Sequence, residues 1–162
     1  MAPPDFRKRN DRREALRFFV CGDVMIGRGI DQILPAPVEP VLQESYVGSA
    51  LTYVELAERK NGPIPRGAEP HYVWGEAIDE WQQMGPDLRL ANLETSLTRS
   101  PDFAPKGINY RASPENAACL AAASFDAWCV ANNHVLDFGR AGLADTVATL
   151  RRLRIAAAGA GR

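Results

Sequence analysis

Short apolar runs alternate along this chain with amphipathic segments. Runs of aliphatic, aromatic and β-branched residues cover 17–22, 87–93 and 125–131, and each is typical of a strand. The first and third runs show no alternation of apolar with charged side chains, which predicts burial of both faces. A shorter strand is predicted over 108–112, and a final short apolar run covers 155–161.

Between these runs, apolar positions recur with helical spacing. The sequence predicts helices at residues 49–60, which Asn61-Gly62 ends; around Trp74, Ile78 and Trp81, which Gly85-Pro86 ends; after Ser113-Pro114; and from Gly142 through Leu143, Val147, Leu150 and Leu153. Three prolines predict a loop over 31–40. Strands alternating with helices predict an α/β fold in which 17–22, 88–93 and 126–131 are neighbours in one mainly parallel sheet.

Polar side chains follow each main strand where it ends. Asp23 follows the first, Asn92 and Glu94 the second, and Asn133 with His134 the third. Such positions line the sites of open α/β sheets, and carboxylate, amide and imidazole donors suit a divalent cation. The alternative is that each residue only caps a turn, but the repetition at three strand ends favours a shared site.

Composition narrows the class of protein. The 162 residues carry 19 basic and 20 acidic side chains, so the net charge of −1 argues against nucleic acid as the main partner. Three cysteines without a C-x-x-C pair indicate buried thiols rather than disulfides or zinc ligands. With no signal peptide or membrane span in the sequence, we expect a cytoplasmic protein with a flexible tail over residues 1–15.

Three other features of the sequence are weaker signals. Gly27-Arg28-Gly29 follows a strand, but Gln32 replaces the third glycine of a dinucleotide loop. His71 is expected to be a solvated loop residue, and the tryptophans to belong to the core. Gly159-Ala160-Gly161 is a small-residue turn that allows two backbones to approach closely.

Several ordered motifs resemble those of the CapA family, whose members are linked to capsule and poly-gamma-glutamate synthesis and are related to calcineurin-like metallophosphoesterases. The motifs are GDVMIGR at 22–28, YVWG at 72–75, NLET at 92–95, KGINYR at 106–111 and ANNHVLDFG at 131–139. The resemblance runs from about Arg17 to Arg162. It implies a four-layer α-β-β-α sandwich.

The resemblance also implies roles for individual residues. A divalent metal (Mn, Mg, Zn or Fe) would be held by Asp23, Asn92, Glu94 and Asn133. His134 would be the catalytic residue that assists the leaving group. Substrate-binding positions would be Arg28, Lys106, Asn109 and Arg111, although ordinary surface salt bridges explain the charged ones equally well.

The sequence departs from the superfamily pattern in two places. Met25 stands where the Asp-x-His motif has an imidazole, and the chain contains only His71 and His134. We therefore expect residues 16–162 to be the N-terminal half of a CapA-like domain, truncated at its C-terminus and weakly active or inactive alone. The intact form is expected to be a metal-dependent hydrolase or transferase.

Two kinds of function follow from this resemblance. The first is a phosphoesterase-like enzyme that acts on an anionic polymer or a phosphoester. The second is a non-catalytic module that contacts the polymer or a partner synthase. Because half a sandwich would leave an apolar sheet face in water, self-association or a C-terminal complement is also expected.

Overall fold

A computed structural model describes residues 15–160, so the predicted tail lies almost wholly outside the described residues. The strands are β1 (Phe18–Val24), β2 (Leu88–Leu93), β3 (Ser96–Leu97), β4 (Arg111–Ala112), β5 (Ala127–Cys129) and β6 (Ala157–Ala158). The helices are α1 (Arg28–Ile33), α2 (Ala50–Asn61), α3 (Ala77–Gln83), α4 (Ala118–Ala122) and α5 (Gly139–Arg152), with a 3₁₀ turn at Tyr72–Trp74.

The main sheet has four strands in the order β1-β2-β5-β6, and every neighbouring pair is parallel. The register pairs Asp23 with Asn92 and Asn92 with Cys129, so the three main strands end at one edge. Strands β3 and β4 form a separate parallel pair. The predicted α/β class and the neighbouring parallel strands are confirmed, and the four-layer sandwich stays a prediction.

Helices and connecting segments cover one face of the main sheet with an aromatic core. Trp81 of α3 lies 5.7 Å from Phe19 and 5.3 Å from Phe125, measured between ring centroids. Trp128 of β5 is 1% exposed and packs 5.0 Å from Phe125. Trp74 donates its indole N–H to the Cys119 carbonyl, so both helical-face tryptophans belong to the core as predicted.

The opposite face of the sheet is apolar and open to solvent among the described residues. Val20 is 69% exposed and Phe18 52% exposed, whereas Phe19 between them packs on the core. In β5, Cys129 is exposed although Trp128 beside it is buried. The prediction that these two strands are buried on both faces is therefore wrong for residues 15–160, where only one face is covered.

Several element boundaries differ from the sequence prediction. Residues 31–33, predicted as loop, belong to α1, and the strand predicted over 108–112 is reduced to Arg111–Ala112. Gly75, with a φ of 53°, separates the Trp74 turn from α3, so the two do not form one helix. Helix α5 begins at Gly139 rather than Gly142, and α4 begins only at Ala118.

Gly159 shows why the last small-residue turn needs a glycine. Its φ is 102°, and a Cβ there would lie 2.5 Å from the Cβ of Ala131. This confirms the predicted close approach, which brings β6 against the end of β5. The prediction of buried thiols holds fully for Cys119 only, because Cys21 is half-buried and Cys129 is exposed.

Candidate functional site

Three polar side chains form a hydrogen-bonded row across the carboxyl edge of the main sheet. Asn92 Nδ2 donates to Asp23 Oδ1 at 2.7 Å, and Asn132 Nδ2 donates to Asn92 Oδ1 at 3.0 Å. Asn132 also donates to the Leu93 carbonyl at 2.9 Å. The row therefore joins the ends of β1 and β2 to the turn after β5.

The turn after β5 carries His134 to this edge. Asn132 Oδ1 accepts from the His134 backbone N–H at 2.9 Å, which is the local bond that shapes this turn. The His134 side chain is 9% exposed, and its Nε2 lies 3.7 Å from Glu94 Oε1. Glu94 itself is placed by its backbone N–H, which donates to the Val24 carbonyl at 3.0 Å.

The other ring nitrogen of His134 faces a fully buried carboxylate. His134 Nδ1 lies 2.7 Å from Asp137 Oδ2, and the Tyr110 backbone N–H donates to the same oxygen at 2.6 Å. Lys106 forms an ion pair with Asp137 Oδ1 and donates to the Asn133 carbonyl at 2.8 Å. One cation thus balances a carboxylate that is 0% exposed.

Aromatic rings fix the positions of Arg28 and His134. The Tyr110 ring stacks on the His134 ring at a centroid distance of 4.1 Å, and the Arg28 guanidinium lies 4.8 Å from the centre of Tyr110 and 5.0 Å from that of Tyr53. Arg28 Nε donates to buried Glu44 at 2.6 Å. Burial opposes the positive charge of Arg28, but Glu44 and the two tyrosines outweigh it and raise the pKa of the guanidinium.

The predicted substrate-binding residues separate into two groups. Lys106 lies beside the His134 ring, whereas Arg28, Asn109 and Arg111 line a small neighbouring pocket. Arg111 lies over the Phe138 ring at 4.9 Å and donates to the Ser100 carbonyl at 2.8 Å, and burial lowers its pKa. Asn109 is 5% exposed and donates to a backbone carbonyl, so its recorded contact is structural.

Asn133 and Met25 take no part in the polar row. Asn133 is exposed, and the recorded contact is that of its backbone carbonyl with Lys106; the neighbouring Asn132 makes the bond to Asn92. Met25 Sδ lies 3.2 Å from the backbone nitrogen of Gly27, which donates to it. Its side chain lines an apolar cavity of about 250 Å³ with Arg28 and Tyr53.

The donor chemistry at this edge fits a hard divalent cation. Asp23 and Glu94 supply carboxylate oxygens, Asn92 an amide oxygen, and His134 an imidazole nitrogen beside Glu94. Within residues 15–160, no three His, Cys, Asp or Glu side chains are grouped closely enough to hold a metal ion.

Four residues of the site were not predicted from the sequence: Asn132, Asp137, Tyr110 and Glu44. Asp137 follows His134 by three residues, a spacing that one turn brings together, and this local signal could have identified it. The stacking of Tyr110 and the bond from Arg28 to Glu44 join residues 24 and 16 positions apart in sequence. No motif spacing indicates those contacts.

A parallel α/β sheet whose carboxyl edge carries Asp, Asn, Glu and His side chains defines an α/β protein with a polar strand-end site. Residues 17–162 match the family described as bacterial capsule synthesis protein PGA_cap. The chain belongs to this family, which confirms the resemblance to CapA.

Two curated relatives from Mycobacterium tuberculosis are 48% identical over 141 residues. Each bears the name probable polyglutamine synthesis accessory protein, one from strain CDC 1551 / Oshkosh and one from strain ATCC 25618 / H37Rv. The match covers 86% of this chain but only 37% of each relative. In the part of the chain that is described, no helix is long and apolar enough to cross a membrane.

Proposed function

We propose that this chain contributes to the synthesis of an anionic capsule polymer of the poly-gamma-glutamate type, as part of a metal-dependent hydrolase or transferase. The family match and the names of the two relatives support the polymer. The observation that carries the chemistry is the placement of His134 Nε2, 3.7 Å from Glu94, at the edge that also holds the Asp23–Asn92 pair.

The proposed roles follow from the chemistry of each side chain. Asp23, Asn92 and Glu94 would hold a divalent cation, which would polarise a phosphoryl oxygen of the substrate when bound. His134 Nε2 would exchange a proton with the substrate, because it is the ring nitrogen on the side of Glu94.

The positive side chains around His134 would favour an anionic substrate. Lys106 reaches this region from a loop and Arg28 from the start of α1, and the Lys106 side chain is 34% exposed. Ion pairs with Asp137 and Glu44 already balance these cations. The two groups would therefore orient an anion by hydrogen bonding more than attract it by net charge.

A non-catalytic role for the same edge is the second candidate. Met25 stands where related phosphoesterases have an imidazole ligand, and its sulfur accepts a bond from Gly27 and lines an apolar cavity. The edge is therefore poor in strong metal ligands. In this reading the surface binds the polymer or a partner synthase without cleaving a bond.

Hydrolysis of bis(4-nitrophenyl) phosphate with added Mn²⁺ distinguishes the two candidates. We expect turnover by the 162-residue chain well below about 1 per second, because so few ligands are present. Asp23→Asn and His134→Gln should each lower that turnover at least about tenfold, and His71→Gln, a change at an exposed loop residue, should not. Turnover that both edge variants leave unchanged would refute catalysis at this edge.

A further inference from the structure

The strongest buried charge cluster in the described residues lies behind His134. Asp137 is 0% exposed, and two obligate donors hold its carboxylate: the Tyr110 backbone N–H at 2.6 Å and the Lys106 ammonium. Both neighbours can only donate, so the carboxylate acts toward them as a hydrogen-bond acceptor. Its remaining close neighbour is His134 Nδ1 at 2.7 Å, so the proton of that contact belongs to the imidazole.

Lys106 and Tyr110 restrict the orientation of the His134 ring. Lys106 Nζ lies 3.4 Å from His134 Nδ1, farther than Asp137 Oδ2 at 2.7 Å, and two of its three protons point to Asp137 and to the Asn133 carbonyl. The Tyr110 ring, inclined by 23° to the imidazole, fixes the plane of the imidazole. The ring therefore has one orientation, with Nδ1 toward Asp137 and Nε2 toward Glu94.

We propose that Asp137 is a positioning residue that holds His134 in the Nδ1-protonated tautomer and so presents the Nε2 lone pair to Glu94 and the strand-end edge. This assignment deepens the proposed function, on which its catalytic meaning rests. A free lone pair at Nε2 can accept a proton or bind a cation, and the other tautomer can do neither at that atom. Asp137 itself is buried and would not touch the substrate.

The tautomer is measurable without any assay of activity. Long-range ¹H–¹⁵N spectra of the ¹⁵N-labelled chain distinguish a protonated from an unprotonated ring nitrogen and are recorded at alkaline pH. EDTA is present and substrate is absent. His71 is exposed and gives the internal reference for a solvated ring. A sedimented sample read by solid-state NMR gives the same shifts if the chain self-associates.

We expect His134 to show the proton on Nδ1 and His71 to show mainly the Nε2-protonated form. Asp137→Ala removes the acceptor at Nδ1, so the His134 proton should move toward Nε2, the form expected for the solvated ring of His71. Asp145→Ala is the matched control, since that carboxylate accepts a bond from Thr98 away from the ring.

A wild-type spectrum with the His134 proton on Nε2 would overturn the proposal, and so would a spectrum that Asp137→Ala leaves unchanged. The wild-type measurement decides the question even if that variant fails to fold. Because neither metal nor substrate is used, an inactive chain can still confirm the tautomer. Conversely, an active chain with the other tautomer would refute the positioning role of Asp137 and would leave the proposed function unaffected.

Discussion

The open sheet face makes a quantitative prediction for Val20→Lys. Fully burying a valine contributes about 1.5–3 kcal/mol, and Val20 is 69% exposed, so only about a third of that contribution is present. The substitution should therefore lower the free energy of unfolding by less than about 1 kcal/mol. If the strand were covered on both faces, the same change would lower the free energy of unfolding by several kcal/mol, because it would also bury an ammonium group.

The same substitution should improve the solution behaviour of the chain. A contiguous apolar sheet face promotes association, so we expect the wild-type chain to self-associate and to bind a hydrophobic dye. Val20→Lys places a charge on that face, in the edge strand β1, and should reduce both. Size-exclusion chromatography, dye fluorescence and urea denaturation measure the three effects.

Leu56→Lys on α2 is the matched control, because Leu56 is 50% exposed but belongs to a helix rather than to the open sheet face. It adds the same charge and should leave dye binding nearly unchanged. A wild-type chain that elutes as a monomer, unfolds cooperatively and binds no dye would refute the reasoning. So would a loss of more than about 2 kcal/mol on Val20→Lys.

Two further predictions concern buried groups. Asp31 is 0% exposed and accepts from the backbone N–H groups of Val38 and Ser113 and from Asn116 Nδ2 at 2.7–3.0 Å, so Asp31→Ala should cost at least about 3 kcal/mol in urea denaturation. A loss below about 1 kcal/mol, similar to that of the exposed control Glu55→Gln, would contradict this. Burial raises the pKa of the Cys119 thiol to about 12, so at pH 8 a thiol reagent should label exposed Cys129 and leave Cys119 unmodified until the chain is denatured. Equal labelling rates of the two thiols in the native chain would show that Cys119 is accessible.

Long apolar runs predicted the architecture because their burial decides the fold. The three main strands, their parallel arrangement and helix α2 follow directly from the pattern, although Ser49, predicted within the helix, is its N-cap. The short helix α1 was not predicted, because six residues carry too little periodic signal beside the prolines that follow. The helix predicted around Trp74 and Trp81 includes Gly75, but the positive φ of Gly75 interrupts the helix there. Only the backbone geometry reveals this interruption.

The face of a strand that is covered depends on what else packs on the sheet, and a strand's own residues do not contain that information. Val20 and Cys129 have apolar side chains like those of the core, yet both are exposed in residues 15–160. The prediction of burial on both faces used only the lack of alternation between apolar and charged side chains. That pattern describes what a face can bury and not whether a covering layer is present.

Some residues of the candidate site could be predicted from their chemistry, and others could be assigned only from the geometry of the fold. Asp, Asn, Glu and His at strand ends were recognisable by residue type, and the structure brings Asp23, Asn92 and Glu94 to one edge with His134. Whether Asn132 or Asn133 joins them depends on the torsion angles of a tight turn, in which adjacent side chains point in different directions. The turn directs Asn132 to Asn92, and it also places Asp137 behind the imidazole. A residue that acts through another residue is selected by such a turn, and this is why Asp137 could be assigned only once the contacts of His134 were known.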